Sequence, residues 1–220
     1  MDGLTERNAV ADGVRRSNAF FEERFATQRV MAIVRGLPPE DTAELCERAW
    51  RAGIEVVEVP IQSPDALASL RAAAAAAERY GCRIGVGTVT TRRQVEDARR
   101  AGAAFTVAPG FDSDVAQASL DAGLAHLPGV ATASEVQRAL TFGFLWLKVF
   151  PAAQLTPGWI KALLAPFPGL RFVATGGVDA HNAQEFIAAG ARVVAVGSAL
   201  ADPDQVGLLS ALQADGPSKR

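Results

Sequence analysis

At 220 residues the chain is long for an ordinary domain but within the reach of one barrel. It is 49% hydrophobic and carries 22 basic against 24 acidic residues, a net charge of −2. That balance excludes a wholly disordered chain and gives no basic footprint for nucleic acid or an anionic membrane.

No run approaches the roughly 18 apolar residues of a membrane-spanning helix. The polar start MDGLTERNAVADGVRRSNAFFEERF has no apolar core of a secretory signal. Cys46 and Cys82 are the only cysteines and have no CxxC spacing, so free thiols in a cytoplasmic protein are expected. Residues 1–16 are expected to be a flexible N-terminus, and residues 17–28 an extra helix covering one end of the fold. The domain itself is placed at 17–213, with a flexible tail over 214–220.

The first strand is RVMAIVRG, at about 30–35. From there one pattern recurs: a glycine, most often after alanine, then a short apolar run. It stands at Gly53, Gly81, Gly102, Gly123, Gly143, Gly169 and Gly190, with spacings of 28, 21, 21, 20, 26 and 21 residues. Glycine suits the left-handed position that ends a helix. The run after it has the Val, Ile, Phe and Ala of a buried parallel strand. Helix-like segments lie between, most of them opening with Ser, Thr or Asp near the cap. Eight strand–helix units of near-constant length predict a single (β/α)8 TIM barrel. An open doubly wound sheet is the structural alternative.

In such a barrel the active site lies at the C-terminal ends of the strands. Lysine is scarce: 19 of the 22 basic residues are arginine. Yet Lys148 sits inside the apolar run FGFLWLKVFPA. Alternation places Trp146, Lys148 and Phe150 on one face and Leu145, Leu147 and Val149 on the other. An amine in a dehydrated barrel is destabilised in its charged form, which exposes a lone pair able to attack a ketone and form a Schiff base. The bland reading is a structural cation paired with Glu58 or another acid. The run IEVVEVPI leaves open which face Glu58 takes. If it points inward it can shuttle protons for Lys148 or simply pair with it.

ATGGV and VGSAL follow the seventh and eighth strands. Gly176, Gly177, Gly197 and Ser198 can there expose backbone N–H groups to a phosphate, or merely permit tight turns. Arg35 and Thr88 can hold a carboxylate, although Arg35 also reads as an ordinary surface residue. Two separated histidines, with His126 read as a half-buried strand residue and His181 as a first-turn residue, give no metal site. The segment TRRQVEDARR reads as a solvated helix face.

These motifs resemble the class I 2-keto-3-deoxy-6-phosphogluconate (KDPG) and 4-hydroxy-2-oxoglutarate (KHG) aldolases, including the 6-phosphogalactonate branch. The resemblance runs from about Val30 to Leu200. Its carriers are AIVRG, GIEVVEVPIQSP, IGVGTV, FTVAPGF, HLPGVATASE, LKVFPA, IKALLAPFP, FVATGGV and VGSAL. It implies that Lys148 is the Schiff-base lysine and Glu58 the general acid/base. Arg35 and Thr88 would hold the pyruvate carboxylate. Pro109, Phe150 and Thr175 would wall the pocket, and Gly176, Gly177, Gly197 and Ser198 would take the phosphate.

Many gluconate enzymes carry an arginine where this chain has Gln62, also placed in the substrate pocket. VPIQSP looks more like the galactonate branch and TGGV more like the gluconate enzymes. The resemblance further implies a homotrimer without metal or cofactor. Its partners would be a phosphorylated 2-keto-3-deoxy sugar acid and pyruvate. Two other classes stand beside it: a sugar-phosphate isomerase or epimerase, which needs no imine, and a non-catalytic phospho-ligand sensor.

Overall fold

The computed structural model describes residues 3–63 and 65–214. Nine strands line the barrel: β1 (Val30–Ile33), β2 (Val56–Pro60), β3 (Ile84–Gly87), β4 (Phe105–Val107), β5 (Ala125–Leu127), β6 (Gly129–Val130), β7 (Trp146–Val149), β8 (Arg171–Thr175) and β9 (Val193–Val196). Their hydrogen-bonded order is β5-β4-β3-β2-β1-β9-β8-β7-β6, and every pairing is parallel. β5 and β6 stand at opposite ends of that order, yet only Pro128 separates them. They are two halves of one stave, so the sheet closes on itself. Proline has no N–H for the ladder, which is why the eight predicted strands appear as nine. Closure also removes the two free edges an open sheet would have.

The outer ring is α2 (Pro39–Arg51), α3 (Ala66–Tyr80), α4 (Arg92–Arg100), α5 (Ser113–Asp121), α6 (Ala133–Phe142), α7 (Ala152–Leu164), α8 (Ala183–Ala188) and, after a 3₁₀ turn at Ser198–Ala201, α9 (Pro203–Ala214). Thr91 with Gln94, and Thr132 with Glu135, form reciprocal capping boxes at the starts of α4 and α6. Gly81 and Gly143 end α3 and α6 at φ of 65° and 110°, the left-handed geometry that the glycine repeat predicts. α7 is kinked, with Thr156 at φ 70° and Pro157 opening its second segment. On α4, Glu96 pairs with Arg99 and Arg100 on a solvated face.

The N-terminal helix is longer than the sequence reading allows. α1 spans Gly3–Arg24 rather than 17–28. Within the stretch expected to be frayed, Val14 is buried and Gly13 lies close against Leu120, so packing extends the helix below Ser17. Residues 1 and 2, and 215–220 of the tail expected to be flexible, lie outside the described residues.

α1 also seals the barrel floor. Phe21 and Phe25 are fully buried and share the barrel interior with Met31, Val56, Phe105, Leu127, Trp146 and Val173. The Phe21–Phe105 and Phe25–Trp146 ring centroids lie 5.7 and 5.1 Å apart. Each ring removed from water contributes about 1.5–3 kcal/mol. Space for this layer comes from β3: a Cβ on Gly85 would overlap the Phe105 ring. His126 is a correction. Its side chain faces the helices and is completely buried rather than half-buried, near Thr106 Oγ1 at 2.9 Å. Burial holds its imidazole down to about 3.

Gly85→Ala is expected to destabilise the barrel by about 1–3 kcal/mol in urea unfolding, the cost of overpacking. Phe105→Leu in that background should recover part of the loss. A Gly85→Ala protein as stable as its parent would contradict this packing.

Candidate active site

Above the aromatic floor the interior turns polar. Lys148 lies on the same inward face of β7 as Trp146, and both are buried. Its backbone N–H donates to the Pro128 carbonyl at 2.8 Å, and its register partners are Gly129 of β6 and Val173 of β8. The ammonium nitrogen lies 5.1 Å from the centroid of the Phe150 ring, which stands at the mouth. Gly129 has no tolerance for a side chain, since a Cβ there would overlap the backbone of Pro109. The sequence places Gly129 with Pro128 at the end of the fifth strand, but only the closed barrel brings Pro109 against it.

Glu58 resolves the ambiguity left by IEVVEVPI. It points inward from β2 with 1% of its surface exposed. A Cβ on Gly87 of the adjacent strand would come within 2.9 Å of the Glu58 carboxyl, so the glycine makes room for it. Among the described residues Glu58 Oε2 has no hydrogen-bond partner. Burial pushes the carboxyl above the usual carboxylate range, and the positive charges of Lys148 and Arg35 oppose that push. Among the described residues no ion pair within 4.0 Å joins Glu58 to Lys148, so a direct structural pair is not what holds them. Both line one cavity.

A cavity of about 380 Å³ opens above these two groups at the C-terminal ends of the strands. All twelve residues singled out from the sequence line it. Glu58, Lys148 and Thr175 are buried at its base, while Arg35, Gln62, Phe150, Gly177 and Ser198 are exposed around its rim. Thr88 and Pro109 lie between. Pro60 lines it too, and four more residues do so without having been foreseen: Ile33, Val178, Asp179 and Ala195. Strand alternation would have found Ile33 and Ala195. Val178 and Asp179 follow directly from Gly176 and Gly177.

Thr88 stands at φ 59°, a rare conformation for a β-branched residue. It is held there by the bonds on either side, Ile61 N–H to Gly87 carbonyl and Val89 N–H to Val107 carbonyl, each 3.0 Å. The Thr88 side chain thereby lines the cavity mouth. Gly176 and Gly177, at φ 95° and 72°, turn the chain beside Phe150 and α7. The arrangement brings together a buried lysine amine, a buried carboxyl, a guanidinium at the rim and glycine turns. Among the described residues no cluster of three His, Cys, Asp or Glu side chains has the spacing of a metal site. No helix among them is long and apolar enough to cross a membrane.

A second cavity, about 330 Å³, opens at the opposite end around Trp50, Tyr80 and Cys82. Its thiol, Cys82, is pushed up by burial and by Glu55, with Arg24 opposing, the wrong direction for a reactive thiolate.

The model of the KDPG and KHG aldolase family matches residues 21–210. A probable 2-dehydro-3-deoxy-6-phosphogalactonate aldolase of Rhizobium meliloti (strain 1021) is 37% identical over 175 residues, covering 79% of this chain and 82% of the relative. A 2-dehydro-3-deoxy-phosphogluconate aldolase of Treponema pallidum (strain Nichols) is 38% identical over 181 residues, covering 80% and 83%. The crystal structure of KDPG aldolase from Legionella pneumophila, with pyruvate captured at low pH as a covalent carbinolamine intermediate, superposes with a TM-score of 0.75 at 29% identity. It covers 89% of this chain and 97% of that one. A match across nearly the whole barrel, together with relatives of this similarity, establishes that the chain belongs to the KDPG and KHG aldolase family.

Proposed function

We propose that the protein is a class I aldolase that cleaves a 2-keto-3-deoxy-6-phospho sugar acid, of the gluconate or galactonate series, to pyruvate and glyceraldehyde 3-phosphate. The observation that carries this reading is Lys148, inward and buried on a sealed floor, with the fully buried Glu58 lining the same cavity. The pyruvate carbinolamine in the Legionella pneumophila relative supports the same chemistry.

In this reading Arg35 and the hydroxyl of Thr88 orient the substrate carboxylate. Gly176, Gly177, Gly197 and Ser198 receive the phosphate, with Pro109, Phe150, Thr175 and Gln62 shaping the space between. The Lys148 amine lone pair adds to the C2 carbonyl and gives a carbinolamine. Glu58 relays a proton to the C2 hydroxyl, which leaves as water, and the iminium remains. Glu58, now ionised, takes the C4 hydroxyl proton as the aldehyde carbonyl forms. The C3–C4 electron pair moves into the iminium, giving an enamine and free glyceraldehyde 3-phosphate. Protonation at C3, again through Glu58, regenerates an iminium. Water hydrolyses it to pyruvate and the free amine.

Lys148→Ala is expected to abolish pyruvate release, followed by coupled lactate dehydrogenase, while leaving the unfolding midpoint near that of the parent. Turnover near the parental rate would end the proposal. An isomerase or a sensor would release no pyruvate even in the parent.

Glu58→Gln is expected to lower kcat by about 10²–10⁴-fold. It should also raise stability at neutral pH. Because burial raises the Glu58 carboxyl, the folded state binds its proton more tightly than the unfolded chain does. The stability this confers is complete below the ordinary glutamate range and is lost as pH rises through the raised value. The variant cannot ionise and escapes that loss. Urea unfolding should therefore show Glu58→Gln more stable than the parent at about pH 8, with the gap closing toward about pH 4. A pH-independent difference would contradict the assignment.

A further inference from the structure

The loop between β8 and α8 is braced by a side chain outside the chemistry above. In a trans peptide the C=O and N–H point in opposite directions. The Gly176 carbonyl accepts from the Ala153 N–H at 2.9 Å, so the Gly177 N–H points away from α7. The Gly177 carbonyl accepts from Asn182 Nδ2 at 2.9 Å, so the Val178 N–H points away from Asn182. Neither N–H donates to a protein acceptor among the described residues. Both residues line the cavity over Lys148.

Asn182 occupies the N-cap position of α8, where asparagine ordinarily accepts from the helix's own first-turn N–H groups. It makes no such bond. Its Oδ1 instead accepts from the Asp179 N–H at 3.0 Å while Nδ2 holds Gly177. An N–H can only donate and a carbonyl can only accept, so these two partners fix the orientation of the amide. Asp179 Oδ1 takes the N–H groups of His181 and Asn182 at 2.9 and 3.1 Å. On the other side Gly177 is pressed to α7, where an added Cβ would stand 2.5 Å from that of Ala153. One amide thus closes the loop on itself and sets a peptide plane at the cavity rim.

We propose that Asn182 is a positioning residue for recognition of the substrate phosphoryl group: by holding the Gly177 carbonyl it aims the Val178 N–H, beside that of Gly177, at the anion. This rests on the reading of that rim as the phosphate site. It adds Val178 to the donors and gives Asn182 a role in discriminating phosphorylated from unphosphorylated sugar acids.

Asn182→Asp keeps the acceptor for Asp179 and loses the donor to Gly177; Asn182→Ala loses both. Steady-state kinetics would compare the phosphorylated acid that the parent prefers with unphosphorylated 2-keto-3-deoxygluconate, and circular dichroism would check folding. Each variant is expected to raise KM for the phosphorylated acid about tenfold, the scale of one misaligned bond to a charged acceptor. Values of kcat and rates on the unphosphorylated acid should be little changed. Weaker inhibition by inorganic phosphate should accompany the rise in KM. Equal losses on both substrates, or no loss on either, would overturn the role of Asn182 while the parent's preference for the phosphorylated acid left the phosphate site standing. A parent indifferent to the phosphate would overturn both. Asn182→Ser serves as the second donor-poor variant if Asn182→Ala does not fold.

Discussion

Taking an amine and a carboxylate out of water is costly, and the cost falls only where partners or a water-filled mouth offset it. Here Lys148 and Glu58 both reach into a tube whose lower half is filled by Phe21, Phe25, Phe105 and Trp146. Water can therefore approach only from the strand ends, where the cavity opens. Among the described residues Glu58 lacks a protein partner for one oxygen, and its charged form is disfavoured by burial. A carboxyl whose charged form burial disfavours thus lines the same cavity as a buried lysine. Unpaired buried polarity of this kind is tolerated where it has a task.

The rest of the structure serves that placement through backbone spacing. Gly85 admits the Phe105 ring to the floor, Gly87 admits the Glu58 carboxyl, and Gly129 admits the Pro109 backbone beside the stave that carries Lys148. These glycines do different work from those of the repeat, of which all but Gly169 take positive φ just after a helix. The loop after β8 shows the same economy at the rim: α7 holds one carbonyl and Asn182 the next, and the matching N–H groups are left without protein acceptors.

Much of this was legible before any coordinates. The glycine-punctuated repeat carried the barrel because helix ends and buried parallel strands each leave a local mark. Lys148 was conspicuous as a lone lysine in an apolar strand of an arginine-rich chain, and strand alternation alone gave its direction. Glu58 was harder. Strands buried on both faces lose polar–apolar alternation, so IEVVEVPI says nothing about facing until β1 and β3 are in register with it. The split at Pro128, the length of α1, the burial of His126 and the work of Asn182 all escaped for a common reason. Each depends on partners supplied by tertiary structure, as when Ser17 hydrogen-bonds the backbone of His126 from 109 residues away.

The central claim is that the nitrogen of Lys148 bonds covalently to a keto acid. Incubating the protein with pyruvate and sodium borohydride, then mapping peptides by mass spectrometry, tests it most directly. The account predicts one reduced pyruvate adduct, on the peptide containing Lys148, and none when borohydride is used without pyruvate. An unmodified Lys148, or an adduct confined to Lys161 or Lys219, would contradict it.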